Sequence, residues 1–282
     1  MRVVVTGANG QLGSELKDVL SRYKELDCFF LDRKQLPLEQ TMIIQDLLAQ
    51  YEPDLIIHAA AYTAVDKAEK EPELADLINH AASIEIAQYC RLHQVKLIAI
   101  STDYVFDGNS SVPLDENAPV DPINVYGLTK LKGEQEIQKW HADAIIIRTS
   151  WVYSQYGHNF VKTMIRLMTE RKEIAVIADQ IGSPTAANDL AESILAIISA
   201  TDWVPGVYHY SNEGEISWFD FACAIKEIKG LACIVKPITT DEYPTAAKRP
   251  HYSLLDKSKI KTIYKLDIPN WYTSLESVLS SL

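Results

Sequence analysis

The stretch "RVVVTGANGQLGSEL" runs from Arg2 to Leu16. Its first half is a short β-branched run, as a buried parallel strand requires. Its second half places Leu12 and Leu16, then Val19 and Leu20, at helical spacing. Between them stand Gly7, Gly10 and Gly13, spaced GxxGxxG. Glycines at such a junction allow a tight turn and a close approach of backbone N–H groups to a pyrophosphate at the helix N-terminus. A glycine triplet alone is weak. At the first strand–helix junction of an alternating chain it predicts a dinucleotide-binding turn.

The chain does alternate. "LDCFFLD", "PDLIIHAAA", "VKLIAIST" and "ADAIIIRTS" read as further strands. "LEQTMIIQDLLAQY" and the long "PELADLINHAASIEIAQYCRLHQ", opened by Pro72, read as helices between them. A further helix carries "VYGLTKLKGE". Parallel strands need crossover helices, so this order predicts an α/β fold with a doubly wound, Rossmann-like parallel sheet over residues 1–150. Beyond Ser150 the alternation loosens. "KEIAVIADQIGSP" reads as a strand and loop, "AANDLAESILAII" and "SWFDFACAIKEI" as helices, and "GVYHYS" as a strand. The segment "KPITTDEYPTAAKRPHYSLLD" reads mostly as loop. Residues 151–282 are expected to form mainly a smaller substrate-binding lobe, with some elements returning to the sheet.

The 282 residues carry a net charge of −11, which argues against nucleic acid or an anionic membrane as the main partner. The four cysteines, Cys28, Cys90, Cys223 and Cys233, form no CxxC pair, and no histidines stand nearby at metal-site spacing. Reduced, mostly buried thiols are expected. No apolar run approaches the ~18 residues of a membrane helix. The N-terminus has no signal-peptide pattern, so the default expectation is a cytoplasmic protein.

Tyr126 and Lys130 lie four residues apart on a helix and share a face. An ammonium beside a phenol is expected to lower its pKa from about 10. Such a tyrosine can protonate a forming alkoxide, and the lysine can also bond a nicotinamide ribose. Ser101 and Thr102 end the fourth strand, at the carboxyl edge where open α/β sheets bind ligands. A hydroxyl and a phenol converging on one carbonyl oxygen, with hydride from a dinucleotide, amount to carbonyl reduction. Asp32 ends the second strand about twenty residues beyond the glycines, placed for a ribose 2′-hydroxyl. Arg33 follows it and suits a 2′-phosphate. The reading leans to NADPH, with NADH as the alternative. Ala59, Ala60 and Ala61 are small enough for a cofactor to lie against their backbone; ordinary close packing is the other reading.

With those residues in view, the chain resembles the extended short-chain dehydrogenase/reductases, and within them the dTDP-4-dehydrorhamnose reductase family. "VTGANGQLG", "HAAAYTAVDKAE", "STDYVFDG", "YGLTKLKGE", "RTSWVY", "DQIGSPT", "GVYHYSN" and "KRPHYSLLD" carry the resemblance nearly end to end. It implies reduction of the C4 ketone of dTDP-4-dehydro-β-L-rhamnose to dTDP-β-L-rhamnose, the last step of dTDP-L-rhamnose synthesis. It implies that Thr102 polarises the keto oxygen, Tyr126 donates the proton and Lys130 tunes it. Gly10, Gln11 and Leu12 would line the pyrophosphate. Thr102, Asp103 and Trp151 would meet the sugar nucleotide, with Tyr104 and Arg249 as weaker candidates; Trp151 also reads as an interlobe aromatic and Arg249 as a surface charge. Asn79 matches the superfamily asparagine that supports the lysine, directly or through water, or is a satisfied polar contact between helices.

Two departures stand out. "LPLEQ" replaces an "LDITD"-like stretch near the adenine, with Pro37 where an Asp is usual. Some family members bind Mg²⁺ across a dimer through carboxylates; here Glu15 is present but Asn188 stands where a Glu would be. No tight metal site is expected, and a homodimer is left open. A dehydratase of this fold needs a Glu where Tyr104 stands. A 4-epimerase would consume no added coenzyme. A non-catalytic NADP-binding regulatory subunit, like that of methionine adenosyltransferase, has no need to keep Thr102, Tyr126 and Lys130 together.

Overall fold

The computed structural model describes residues 1–282. Six strands form one all-parallel sheet: β1 (Arg2–Thr6), β2 (Asp27–Leu31), β3 (Leu55–His58), β4 (Lys96–Thr102), β5 (Ile145–Thr149) and β6 (Gly206–Tyr210). Their spatial order is β6-β5-β4-β3-β1-β2. The order reverses at β1, so β1 and β3 flank the switch point at which ligands enter such sheets.

Alternation along the strands divides the core. Val3, Val5, Ile57, Ile98 and Ile147 face one side with α1 (Gln11–Leu20). Val4, Ile56, Leu97 and Ile146 face the other with α2 (Ile44–Ala49) and α3 (Ala82–His93). Both faces are covered, which is why the strands read as unbroken apolar runs. α4 (Val125–Trp140) crosses over between β4 and β5.

Three elements from beyond residue 150 join this layer, one of them the short helix Ser258–Tyr264, whose Ile260 enters the core beside β6. β6 pairs with β5, and α6 (Ala187–Ser199) lays Leu190 and Ile194 against Leu16 and Val19 of α1. The remaining C-terminal lobe has its own core of Tyr153, Val161, Met164, Phe221 and Leu275. Its framework is α5 (Phe160–Glu170), α7 (Trp218–Ile228), α8 (Trp271–Ser280) and a parallel pair, Glu173–Ile177 with Ile234–Ile238.

The sequence reading passed over α5 and α8. Both had legible signals: Asn159 and Asn270 cap them, accepting from the N–H groups of Lys162 and Tyr272. The long third helix of the sequence reading is broken in the structure. Pro72–Asp76 leads into a π-helical turn, Leu77–Ala81, before α3. No helix is long and apolar enough to cross a membrane.

Candidate active site

A cavity of about 850 Å³ opens at the carboxyl edge of the sheet. The glycine turn, the end of β2, the alanines after β3, the end of β4, the first turns of α4 and Trp151 all line it. Of the catalytic, cofactor and substrate residues named from the sequence, Arg249 alone lies outside its wall.

The glycine turn is a cradle that side chains would fill. Gly7 has φ +77°, and a Cβ there would stand 2.9 Å from the Ala60 backbone. A Cβ on Gly13 would stand 2.2 Å from the Gly7 carbonyl oxygen. Gly10 N–H donates to that same oxygen at 2.9 Å, and Gly10 caps α1 without any side-chain bond. The first N–H groups of α1 therefore have no side-chain partner and suit a pyrophosphate. Gln11 is tied across the lobes, donating to the Val152 carbonyl at 3.2 Å and accepting from Asn159 at 2.9 Å. Ala60 N–H donates to Thr6 Oγ1 (3.1 Å), which also pairs with His58 Nδ1 (2.9 Å), so β1 and β3 are locked beneath the turn. Gly13→Ala is expected to cost about 1–3 kcal/mol by overpacking and to weaken dinucleotide binding. Unfolding midpoint and a coenzyme titration measure both; an unchanged variant would mean the turn has room to spare.

At the end of β2, Asp32 Oδ1 accepts from the N–H groups of Lys34 (2.9 Å) and Gln35 (3.1 Å), and Oδ2 accepts from Asn9 (3.3 Å). The two backbone bonds are the main reason its carboxyl lies below the ordinary range. Arg33 turns its Nε and Nη2 to Glu39 Oε1, at 3.1 and 2.9 Å.

The reactive corner lies at β4. His58, the last residue of β3, pairs with Ala99, so β4 runs three residues further and carries Ser101 and Thr102 past its neighbour. Thr102 Oγ1 accepts from Tyr104 N–H (3.2 Å) and donates to Asp103 Oδ1 (3.0 Å). Asp103 also accepts from Ser253 Oγ at 2.6 Å. Burial pushes Asp103 up to about 6, against the pull of those bonds.

α4 is pinned so that its first turn faces Thr102. Asn124 Oδ1 accepts from Gly127 N–H (2.8 Å), its amide donates to the Lys248 carbonyl (2.8 Å), and Glu69 accepts from Val125 N–H (2.9 Å). Gly127 closes on the Tyr104 carbonyl, where a Cβ would stand at 2.1 Å. Tyr126 thereby meets Tyr104 edge to face, with ring centroids 5.5 Å apart. Asn124 was findable as a helix cap. Glu69 and Ser253 had no local signal, because their partners lie 56 and 150 residues away.

One expectation is reversed. Burial raises the Tyr126 phenol to about 12, with the Thr102 hydroxyl pulling it down and Asp103 adding to the rise. Lys130 does not lower it. The ammonium donates instead to the Ile100 carbonyl on β4, at 2.7 Å. Burial brings Lys130 itself down to about 8, with Glu134 one turn away opposing. The phenol therefore keeps its proton at neutral pH, which is the form a proton donor needs.

Trp151 adopts φ +48°, stacks on Trp218 at 3.7 Å and 13°, and covers Gly182, where a Cβ would stand 3.1 Å from the ring. It joins the lobes and lines the cavity at once. Arg249 is placed elsewhere than the sequence reading put it. Its fork holds Asp66, Nη2 to Oδ2 at 2.6 Å and Nη1 to Oδ1 at 3.2 Å, so those donors are already engaged. Asn79 accepts from Tyr62 N–H (2.8 Å) and donates to the Tyr62 carbonyl (3.2 Å) and Thr129 Oγ1 (3.1 Å). Its side chain thus ties the π-turn to α4 and makes no direct hydrogen bond to Lys130, although both line one small cavity. Glu15 accepts from Ser154 Oγ (2.6 Å) and from the Asn188 amide (3.4 Å), both within the chain.

A doubly wound parallel sheet with a glycine turn, a YxxxK helix and a hydroxyl-bearing β4 edge in one cavity defines an extended short-chain dehydrogenase/reductase. The chain belongs to the family described as the RmlD substrate binding domain, whose model matches residues 1–282. It is 38% identical to the dTDP-4-dehydrorhamnose reductase of Escherichia coli (strain K12), over 100% of this chain and 98% of that one. It is 40% identical to the spore coat polysaccharide biosynthesis protein SpsK of Bacillus subtilis (strain 168), over 92% and 90% of the two chains. A crystal structure of dTDP-4-dehydrorhamnose reductase from Bacillus anthracis str. Ames, in complex with NADP, superposes with a TM-score of 0.95 at 43% identity, covering 100% and 99%.

Proposed function

We propose that this chain reduces the C4 ketone of dTDP-4-dehydro-β-L-rhamnose to dTDP-β-L-rhamnose, the last step of dTDP-L-rhamnose synthesis, with NADPH as coenzyme and NADH as the alternative. One observation carries the reading: in a member of this family, a protonated phenol, Tyr126, stands by the Thr102 hydroxyl in the cavity that also holds the glycine turn.

Gly7, Gly10, Gln11, Leu12 and Gly13 hold the dinucleotide's pyrophosphate, with Asp32 and Arg33 at its adenosine end and Ala59 to Ala61 beneath it. When bound, the reduced nicotinamide supplies hydride to the sugar C4. Thr102 and Tyr126 bond the keto oxygen, and Tyr126 gives its proton to that oxygen as negative charge develops. Lys130 spends one N–H on Ile100 and keeps two for the nicotinamide ribose, fixing acid and coenzyme relative to each other. The Thr102 hydroxyl, which donates to Asp103 in the structure, turns from it to reach the keto oxygen, and Tyr104 and Trp151 border the sugar nucleotide.

Incubation with each reduced nicotinamide and the 4-keto-L-sugar nucleotide tests this. The expected result is coenzyme consumption matched by formation of the C4 alcohol; product without net consumption would identify an epimerase instead. The pH profile adds a second check. Lys130 is charged below about 8 and neutral above it. kcat/KM is therefore expected to fall as pH rises through about 8, while Tyr126 remains protonated throughout. A profile flat to pH 9.5 would show that the lysine's charge is not needed.

A further inference from the structure

We propose that Glu39 sets the coenzyme preference of this chain by holding the Arg33 fork that a 2′-phosphate would need. The inference rests on the dinucleotide reading of the cavity and goes beyond it. Glu39 takes Nε and Nη2 of Arg33 through a single oxygen, Oε1. These donors form one of the edges with which an arginine grips a phosphate in bidentate fashion. Both residues line the cavity beside Asp32, at the end of β2, where the adenosine ribose lies in this fold.

Asp32 does not compete for Arg33, since its oxygens accept from Lys34, Gln35 and Asn9. Arg33 is mostly exposed and Glu39 mostly shielded, with side-chain exposures of 71% and 27%. The arginine can swing and the carboxylate is the fixed partner. Burial pushes Glu39 up, but its own backbone N–H and Arg33 outweigh that, so the carboxylate is charged at neutral pH. A 2′-phosphate must either draw Arg33 from Glu39 or settle for the remaining Nη1–Nη2 end of the guanidinium, and in both cases it sits near a like charge. A 2′-hydroxyl does neither. Glu39 thus weakens NADPH selectively and narrows the gap to NADH.

The test is a pair of binding titrations, NADPH and NADH, followed by coenzyme fluorescence without sugar substrate. Glu39→Gln is expected to tighten NADPH about threefold to fivefold, the upper range of a partly exposed charge pair, and to move NADH less than about twofold. Arg33→Ala is expected to loosen NADPH selectively and to shrink the effect of Glu39→Gln in the double variant. Equal shifts for both coenzymes, or an unchanged ratio, would overturn the proposal. Binding with the expected ratio but no turnover of the keto sugar would sink the proposed reaction and leave the role of Glu39 standing. Failure of the wild-type chain to bind either dinucleotide would sink both.

Discussion

Tyr126→Phe is expected to lower kcat for the 4-keto sugar nucleotide at least about a hundredfold, the low end for loss of a general acid, and to leave the affinity for NADPH nearly unchanged. The ring keeps its place in this variant. Gly127 against the Tyr104 carbonyl, the Asn124 cap and the edge-on contact with Tyr104 all act on the backbone or the ring, not on the hydroxyl. Only the proton is removed. Burial holds that proton on the phenol to about 12, so the wild-type side chain is loaded for donation across the working range. Thr102 cannot replace it, because an aliphatic alcohol is a far weaker acid than a phenol. Steady-state rates with a coenzyme titration separate the two effects. A Phe variant with the wild-type rate would place the acid elsewhere.

Arg148→Met is expected to destabilise the chain by about 3–5 kcal/mol, the range for stranding one member of a buried ion pair. Arg148 and Glu134 are 6% and 3% exposed. The guanidinium donates to both carboxylate oxygens from Nε at 3.1 Å and to Oε2 from Nη2 at 2.7 Å. It also lies 5.3 Å from the centre of the Phe106 ring and meets His209 Nε2 at 3.5 Å. His209 Nδ1 faces the Leu114 carbonyl, so Nδ1 carries the hydrogen and Nε2 accepts. Burial first, then Arg148, keeps this imidazole neutral by lowering it to about 3. Removing the cation leaves the Glu134 carboxylate without its guanidinium, on the helix that presents Tyr126 and Lys130. Adding Glu134→Leu should restore most of the loss, since two apolar groups strand no charge. Urea unfolding of the single and double variants decides this. A double variant as unstable as the single one would assign the loss to packing around Phe106 and not to the stranded charge.

Much of the fold was legible from the residues because the signals are local. The β-branched run into Gly7, the period of α1 and the alternation of strand and helix each arise within about a dozen positions. The sheet's sixth strand was readable as a strand in "GVYHYS", yet nothing local told that it pairs with β5. The two missed helices had caps and apolar spacing in plain view. In the site, the spacing of Tyr126 and Lys130 gave their shared face. The sign of the phenol's shift did not follow from spacing, because burial and the Ile100 carbonyl act at that point and the lysine's nearness does not. Arg249 shows the same limit: a free fork in the sequence is a fork spent on Asp66 in the fold.

By itself the sequence determined the alternation of strands and helices over the first 150 residues, the position of the glycine turn and the residue types that gather at the sheet's carboxyl edge. These follow from backbone sterics and short-range periodicity, which any stretch of ten residues expresses. Only the tertiary structure decided which charges are free, which hydroxyl points where, and whether the phenol holds or sheds its proton. Those depend on burial and on partners as many as 183 positions away, as with Arg249 and Asp66, and electrostatics inside a folded chain is set by such neighbours in space.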